Sequence, residues 1–403
     1  MVPLDDTWDR LAESLQGASR WEEYENPGGS IKRVVEPLID GIVDDAEKLR
    51  TLQRYIRTSI KWDGNYTYYP GQSPKDLLKS RRGTAADINL MLVCMARAAG
   101  LQAEAVLIST RAHGRVRVSY PLLTQFNYVL ARITLEDQKH MVDATDRFHP
   151  YTTLPLRALI DHGWVVQRGR PVWVAVRAGD SAERTTSVEA TINRDGGLNG
   201  KIEIVDSGYR AIGTRTTLGD EDDSDFVRES IIDPQNAEVT ECDVSGAESA
   251  SLPIVVNCDF DVPAYGQVAG DYIYVSPMLA QRWNENPFTK LDRRFPVDFG
   301  YVRKNTFKLS LLIPEGYELI EAPPNIHFNS ESGGTRFSRT TAVRMNRIVF
   351  ETHADILRTE FKPHHYTHLR EFYERVVNEH STQLVLRRKE RQVPTGDNAT
   401  RAS

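Results

Sequence analysis

The spacing of apolar positions divides the chain into a helical first quarter and a strand-rich remainder. From Thr7-Trp8 an apolar pattern runs through Leu11 and Leu15, and a longer one runs from Ile42 through Leu49, Leu52, Tyr55 and Ile56 to Ile60, close to the 3.6-residue helical period. Residues 62–72 are aromatic and turn-rich, with Trp62, Tyr66, Tyr68 and Tyr69 ahead of Pro70-Gly71, and read as a loop. Ser73-Pro74 predicts an N-cap followed by proline at the first helical position, and that short helix ends before Arg81-Arg82-Gly83. Thr84 caps the next helix, which carries Ile88, Leu92, Met95 and Ala99 on apolar positions and stops at Gly100.

The period then changes to two. Residues 103–109, 126–135 and 140–142 predict strands, with a turn at Asp137-Gln138. Residues 1–165 therefore predict an α+β unit of helices packed on an antiparallel sheet. Further strands are expected over 172–176, 187–192, 201–205, 237–243, 252–262, 271–275, 301–312, 346–352 and 383–386, with helices over 209–232 and 365–377. Residues 166–390 thus predict a β-sandwich-type region of one or two subdomains, and the polar stretch 391–403 predicts a disordered tail.

Composition narrows the function. Lysine and arginine total 50 against 56 acidic residues, a formal charge of −6, which argues against a nucleic-acid partner held by a broad cationic field. No stretch approaches the length of a membrane span. The N-terminus lacks the basic-then-apolar layout of a secretory leader. Three cysteines, Cys94, Cys242 and Cys258, exclude a four-cysteine zinc site and a disulfide-rich framework. Cys242 and Cys258 fall in strand segments that could be adjacent, so a disulfide is one outcome, although isolated strand cysteines are more often simply packed. His364, His368 and Glu371 have a metal-ligand spacing, but Pro363 marks a helix entrance and a solvated face is expected. The acidic run 220–225 lacks the glycine of a calcium loop and reads as a solvated helix segment. No metal or cofactor is expected.

The chemistry-bearing segment is Arg82-Gly83-Thr84-Ala85-Ala86-Asp87-Ile88-Asn89-Leu90, at the entrance of the helix that ends at Gly100. A thiol placed there would face unpaired backbone N–H groups and the positive end of the dipole, both of which favour thiolate. Gly83 is expected to let the backbone turn sharply just before it. A general base would come from the adjacent sheet, within Gln125-Phe126-Asn127-Tyr128-Val129-Leu130. A carboxylate to orient that base is present as Asp143, in Met141-Val142-Asp143-Ala144-Thr145-Asp146.

This arrangement resembles the transglutaminase-like superfamily, whose core is papain-like, and within it the bacterial multidomain members that carry uncharacterised β-rich domains beside that core. Asn286-Pro287-Phe288, Arg294-Phe295-Pro296-Val297-Asp298 and Leu312-Ile313-Pro314-Glu315-Gly316-Tyr317 extend the resemblance into the second half. The resemblance implies a Cys-His-Asp triad, and its positions fall on Ala85, Tyr128 and Asp143. A methyl group cannot attack an acyl carbon, and a phenol with an ordinary pKa near 10 is a poor base at neutral pH. Cys94 lies nine positions along the same helix, about 13.5 Å away at 1.5 Å per residue, too far to substitute. The backbone N–H of Ala85 is left as a candidate oxyanion donor.

The expected function is that of a catalytically inactive, transglutaminase-like scaffold. It would hold a peptide or protein segment in a cleft bordered by Trp62, Tyr68, Tyr69, Asp87 and Asn127. Asp87 and Asn89 also suit the helix dipole, and Asp143 suits a structural hydrogen-bond acceptor. A rival reading is an active cysteine-type acyl transferase or peptidase in which Ala85 is an engineered change. A third is a structural module with an empty cleft. Members of the resembled type begin with a signal peptide and a further β-rich domain, so both are expected to be missing from this chain, and the resemblance implies a periplasmic or cell-surface setting.

Overall fold

The computed structural model describes residues 7–220, 223–230 and 236–390, so the expected tail at 391–403 and part of the acidic run lie outside the described residues. The helix Ala85–Ala98 is the axis of the first unit and is buried continuously from Ala85 to Ala96. Its start is fixed locally. The Thr84 hydroxyl accepts from Asp87 N at 3.2 Å, and the Asp87 carboxylate accepts from Thr84 N at 2.9 Å. Such a reciprocal cap stabilises a helix by about 1 kcal/mol. Gly100, at φ +82°, ends it. The helices Trp8–Gln16, Ser19–Glu25, Gly29–Ile39 and Asp45–Ser59 contribute to the same core, through Leu11, Trp21, Ile31 and Leu52.

On the other side of that helix lies an antiparallel sheet in the order Gln138–Val142, Tyr128–Leu135, Gln102–Ile108, His162–Val165, Val172–Ala175. Its last strand lies beyond residue 165, where the sequence suggested a boundary. Trp164 pairs in register with Trp173, and both rings pack against Trp8 at 5.0 Å. Burying these aromatic faces together keeps 172–175 with the first unit.

Among the described residues, the remainder forms an eight-stranded sheet faced by a four-stranded one. Their shared core includes Ile202, Phe260, Leu309 and Phe350 from the larger sheet and Ile273 and Leu386 from the smaller. The strands Ala182–Ile192 and Arg303–Leu312 pair in parallel, and the other pairings of the larger sheet are antiparallel. The protein is thus α+β, with a β-sandwich-type second half. The helix expected over 209–232 is observed as Tyr209–Asp220 and Asp223–Ser230, and residues 231–235 lie outside the described residues. The final helix, Tyr366–His380, packs Leu369, Phe372 and Val376 against Phe328 and Phe337. His364 falls in a short 3-10 turn ahead of this helix, while His368 faces Glu331 at 3.3 Å. Among the described residues no helix is long and apolar enough to cross a membrane.

Of the two outcomes open for Cys242 and Cys258, the structure shows the disulfide and not separate packed thiols, with their Cα atoms 4.2 Å apart. They lie on the paired strands Glu238–Ser245 and Ile254–Val262. The register shifts between Thr240 and Asp243, where Glu241 takes φ +49°, and this bulge sets Cys242 opposite Cys258. Strand identity was readable, but this local shift was not. A Cys242→Ser/Cys258→Ser variant is expected to lose about 3 kcal/mol of stability in urea titration, the loop-closure value for a loop of this size. An unchanged midpoint would show that the crosslink contributes nothing. The remaining cysteine, Cys94, is buried, and that burial pushes its thiol up to about 12.

Candidate functional site

The three positions expected to carry chemistry do meet. Ala85 opens the central helix, Tyr128 opens a strand of the adjacent sheet, and Asp143 follows the neighbouring strand Gln138–Val142. All three are fully buried. Ala85 and Tyr128 belong to one apolar cluster with Val106, Ile108 and Leu130. The phenol of Tyr128 donates to Asp143 Oδ2 at 2.7 Å. Asn89 Nδ2 donates to the same oxygen at 3.2 Å, while Oδ1 accepts from Thr145 N at 2.8 Å and from the Thr145 hydroxyl at 2.5 Å. Asn89 also donates to Val129 O at 2.8 Å and accepts from Ala144 N at 2.8 Å, so it ties helix to sheet behind the carboxylate.

Electrostatics favours the protonated forms of Tyr128 and Arg157. Burial pushes the Tyr128 phenol well above its ordinary range, and the negative charge of Asp143 pushes it further, against the opposing pull of Arg157. Tyr128 is therefore a neutral donor. Burial disfavours the charge on Arg157, but Tyr128 and Asp143 outweigh it and raise its pKa. Its Nη2 donates to Thr145 Oγ1 at 2.6 Å, and its guanidinium lies 4.6 Å from the Trp62 ring centroid.

Two sequence expectations about the helix entrance change. The Ala85 N–H is not free as an oxyanion donor, because it donates to Asn65 O at 3.1 Å. Gly83 makes no special turn and does not adopt positive φ. It is required for space instead: a Cβ there would sit 2.7 Å from Leu77 Cδ1 and 2.9 Å from Asp87 Cβ.

The family described as the transglutaminase-like superfamily matches residues 32–150, a span that includes Ala85, Tyr128 and Asp143. Residues 32–150 are a transglutaminase-like domain. A domain of unknown function, DUF3858, matches residues 271–386, within the β-rich half. Among solved structures, a chain described as a "putative protease" from Parabacteroides distasonis superposes with a TM-score of 0.59 at 13% identity. The match covers 94% of this chain but only 58% of that one, so this protein spans little more than half of its length. At that identity the likeness speaks for the fold. No curated protein matches the sequence.

The structure also places the rim residues expected to border the transglutaminase-like cleft. Trp62, Tyr68 and Tyr69 are half-buried and pack on the first core. Asp87 and Asn127 are committed to the fold. The Asp87 carboxylate accepts from Gly71 N at 2.7 Å as well as from Thr84. Asn127 bonds Thr110 twice, accepting from its N at 2.8 Å and donating to its hydroxyl at 2.9 Å. Sequence reasoning missed three contributors: Arg157, Thr145 and Tyr66. Tyr66 is 47% exposed and lies 5.4 Å from Trp62 and 5.9 Å from Tyr128, ring to ring. Thr145 could have been flagged by its place two residues after Asp143, the spacing of an Asx turn. Arg157 lies in a 3-10 turn beyond the sheet hairpin and carried no signal.

Proposed function

We propose that the transglutaminase-like domain is non-catalytic and acts as a peptide- or protein-binding module of a two-domain protein. The observation that carries this reading is the state of the nucleophile position. Ala85 offers a buried methyl group, its N–H is taken by Asn65, and the base position holds a phenol locked to Asp143. Trp62, Tyr68 and Tyr69, joined by Tyr66, would form the recognising surface, with Asp87 and Asn127 holding the loops beneath it. The Cys242–Cys258 disulfide favours an oxidising setting, in keeping with a periplasmic or cell-surface location.

The test compares the chain with Ala85→Cys and with Ala85→Cys/Tyr128→His in amine-incorporation and peptide-hydrolysis assays. The unaltered chain and the single variant are both expected to be inactive. The thiol introduced by Ala85→Cys is expected to resist thiol reagents until the protein is unfolded, because position 85 is fully buried. The same burial is expected to keep the double variant inactive, so turnover that appears only with Tyr128→His would show that substrate does reach the helix entrance. Turnover by the unaltered chain would sink the reading. Turnover by Ala85→Cys alone would favour the rival, a cysteine-type enzyme disabled at one position.

A further inference from the structure

The β-rich half contains a cleft that the preceding reading does not use. It lies between the helix Tyr209–Asp220, the adjoining starts of the parallel strands Ala182–Ile192 and Arg303–Leu312, and residues 281–301, and its volume is about 1270 Å³. Ordinary small-molecule sites occupy roughly 300–1,000 Å³, so this cleft suits a longer ligand.

Its charge is unbalanced. Four arginines line it, Arg184, Arg210, Arg282 and Arg303, against two carboxylates, Glu285 and Asp298. Arg184 is already matched by the buried Asp206, which its Nε meets at 2.7 Å. Asp298 is already held by Arg111 at 2.8 Å. Among the described residues no carboxylate forms an ion pair with Arg210, Arg282 or Arg303. The Nε atoms of Arg282 and Arg303 are buried and have no hydrogen-bond partner. A buried charged donor left unpaired is costly, and an anionic group in the cleft would satisfy it. Partial desolvation in the cleft, then the like charge of Arg184, also lowers the pKa of Arg210.

Between the arginines the walls are aromatic. Tyr209 and Tyr301 stack at 4.3 Å, Trp283 and Tyr373 stack at 4.5 Å, and the Arg303 guanidinium lies 5.4 Å from the Tyr301 centroid. Guanidinium forks match planar carboxylates in two-point contact, and flat rings suit apolar side chains.

We propose that this cleft binds an acidic peptide segment, with its carboxylates on Arg210, Arg282 and Arg303 and its apolar side chains on Trp283 and Tyr301. A small inorganic anion would satisfy one corner and leave the aromatic walls bare. The three arginines stand on separate elements (a helix start, a loop and a strand start), which matches a ligand that carries several charges along its length. The proposal is independent of whether the transglutaminase-like domain has chemistry.

The test uses the full chain and a fluorescein-labelled peptide of repeating Glu-Phe-Glu-Leu units, read by anisotropy at low and high salt. A peptide with glutamine in place of glutamate is the comparison. Binding of the glutamate peptide is expected, weakened by salt, with the glutamine peptide at least about tenfold weaker. Arg210→Glu is expected to weaken it at least about tenfold, while Lys139→Glu, the same charge change on an exposed hairpin of the first unit, leaves it unchanged. Because Arg303 stacks on its neighbours, Arg210, which keeps solvent contact, is the variant of choice, and Arg210→Gln replaces it if Arg210→Glu melts earlier than the parent. Three results would each overturn the proposal: no binding of the glutamate peptide, equal binding of both peptides, or indifference to the charge at position 210. Calorimetric binding of inorganic phosphate without peptide binding would overturn it in favour of a small-anion site.

Discussion

Replacing Asp143 by alanine is expected to destabilise the protein by about 3–5 kcal/mol, the cost of removing one member of a buried, hydrogen-bonded charged network. The carboxylate is fully buried and accepts from Tyr128, from Asn89 and twice from Thr145. Its loss orphans the Thr145 backbone N–H, takes one of the two acceptors of the Asn89 amide and leaves the Tyr128 phenol with Thr145 and Arg157 alone, and each donor left unsatisfied adds about 1–3 kcal/mol. It also removes the anion that faces Arg157. Asp143→Asn keeps one acceptor and is expected to cost distinctly less. Urea titration of the full chain, followed by tryptophan fluorescence, measures both, since Trp21 and Trp164 are buried in the affected core. A loss below about 1 kcal/mol for the alanine variant would mean that the network is not what holds the sheet to the helix.

A loss of similar size is expected for Asp206→Ala in the β-rich half. Asp206 is fully buried and lies directly across from Arg184 in the antiparallel pairing. It accepts from Arg184 Nε and Nη2 and from the Thr214 hydroxyl. Alanine leaves Arg184 as an uncompensated buried cation, at a cost of about 3–5 kcal/mol. The double replacement Arg184→Met/Asp206→Leu removes both charges and is expected to recover most of that loss. A double variant as unstable as Asp206→Ala would show that packing, and not the unmatched charge, sets the penalty. Thermal or urea unfolding of the three chains decides between these.

Much of the local architecture could be read from neighbouring residues. Ser73-Pro74, Thr84 with Asp87, and Gly100 mark helix ends because caps act through atoms a few residues apart. The strands about the sheet hairpin were legible from period-two alternation. The strand Thr335–Arg344 was not. Its inward positions are Thr335, Phe337 and Arg339, and the guanidinium of Arg339 is buried on Pro324 O and the Glu379 carboxylate. A buried arginine in place of an apolar side chain hides the alternation. Tyr317–Glu321 and Ile326–Phe328 are short enough to escape a pattern of any kind.

For the candidate site, the sequence by itself determined which groups stand at positions 85, 128 and 143, since Ala85, Tyr128 and Asp143 are matters of identity. It therefore determined that no thiol stands at the helix entrance. Only the tertiary structure decided what fills the space around them. Asn65 takes the Ala85 N–H, and Arg157 reaches Thr145 from a turn twelve residues on in sequence. A bulge at Glu241 joins Cys242 to Cys258. The physical reason is range. Propensity, capping and alternation act over a few residues and leave their trace in the sequence nearby. Hydrogen bonds, charge pairs and crosslinks between distant segments depend on register and burial, which exist only once the chain has folded.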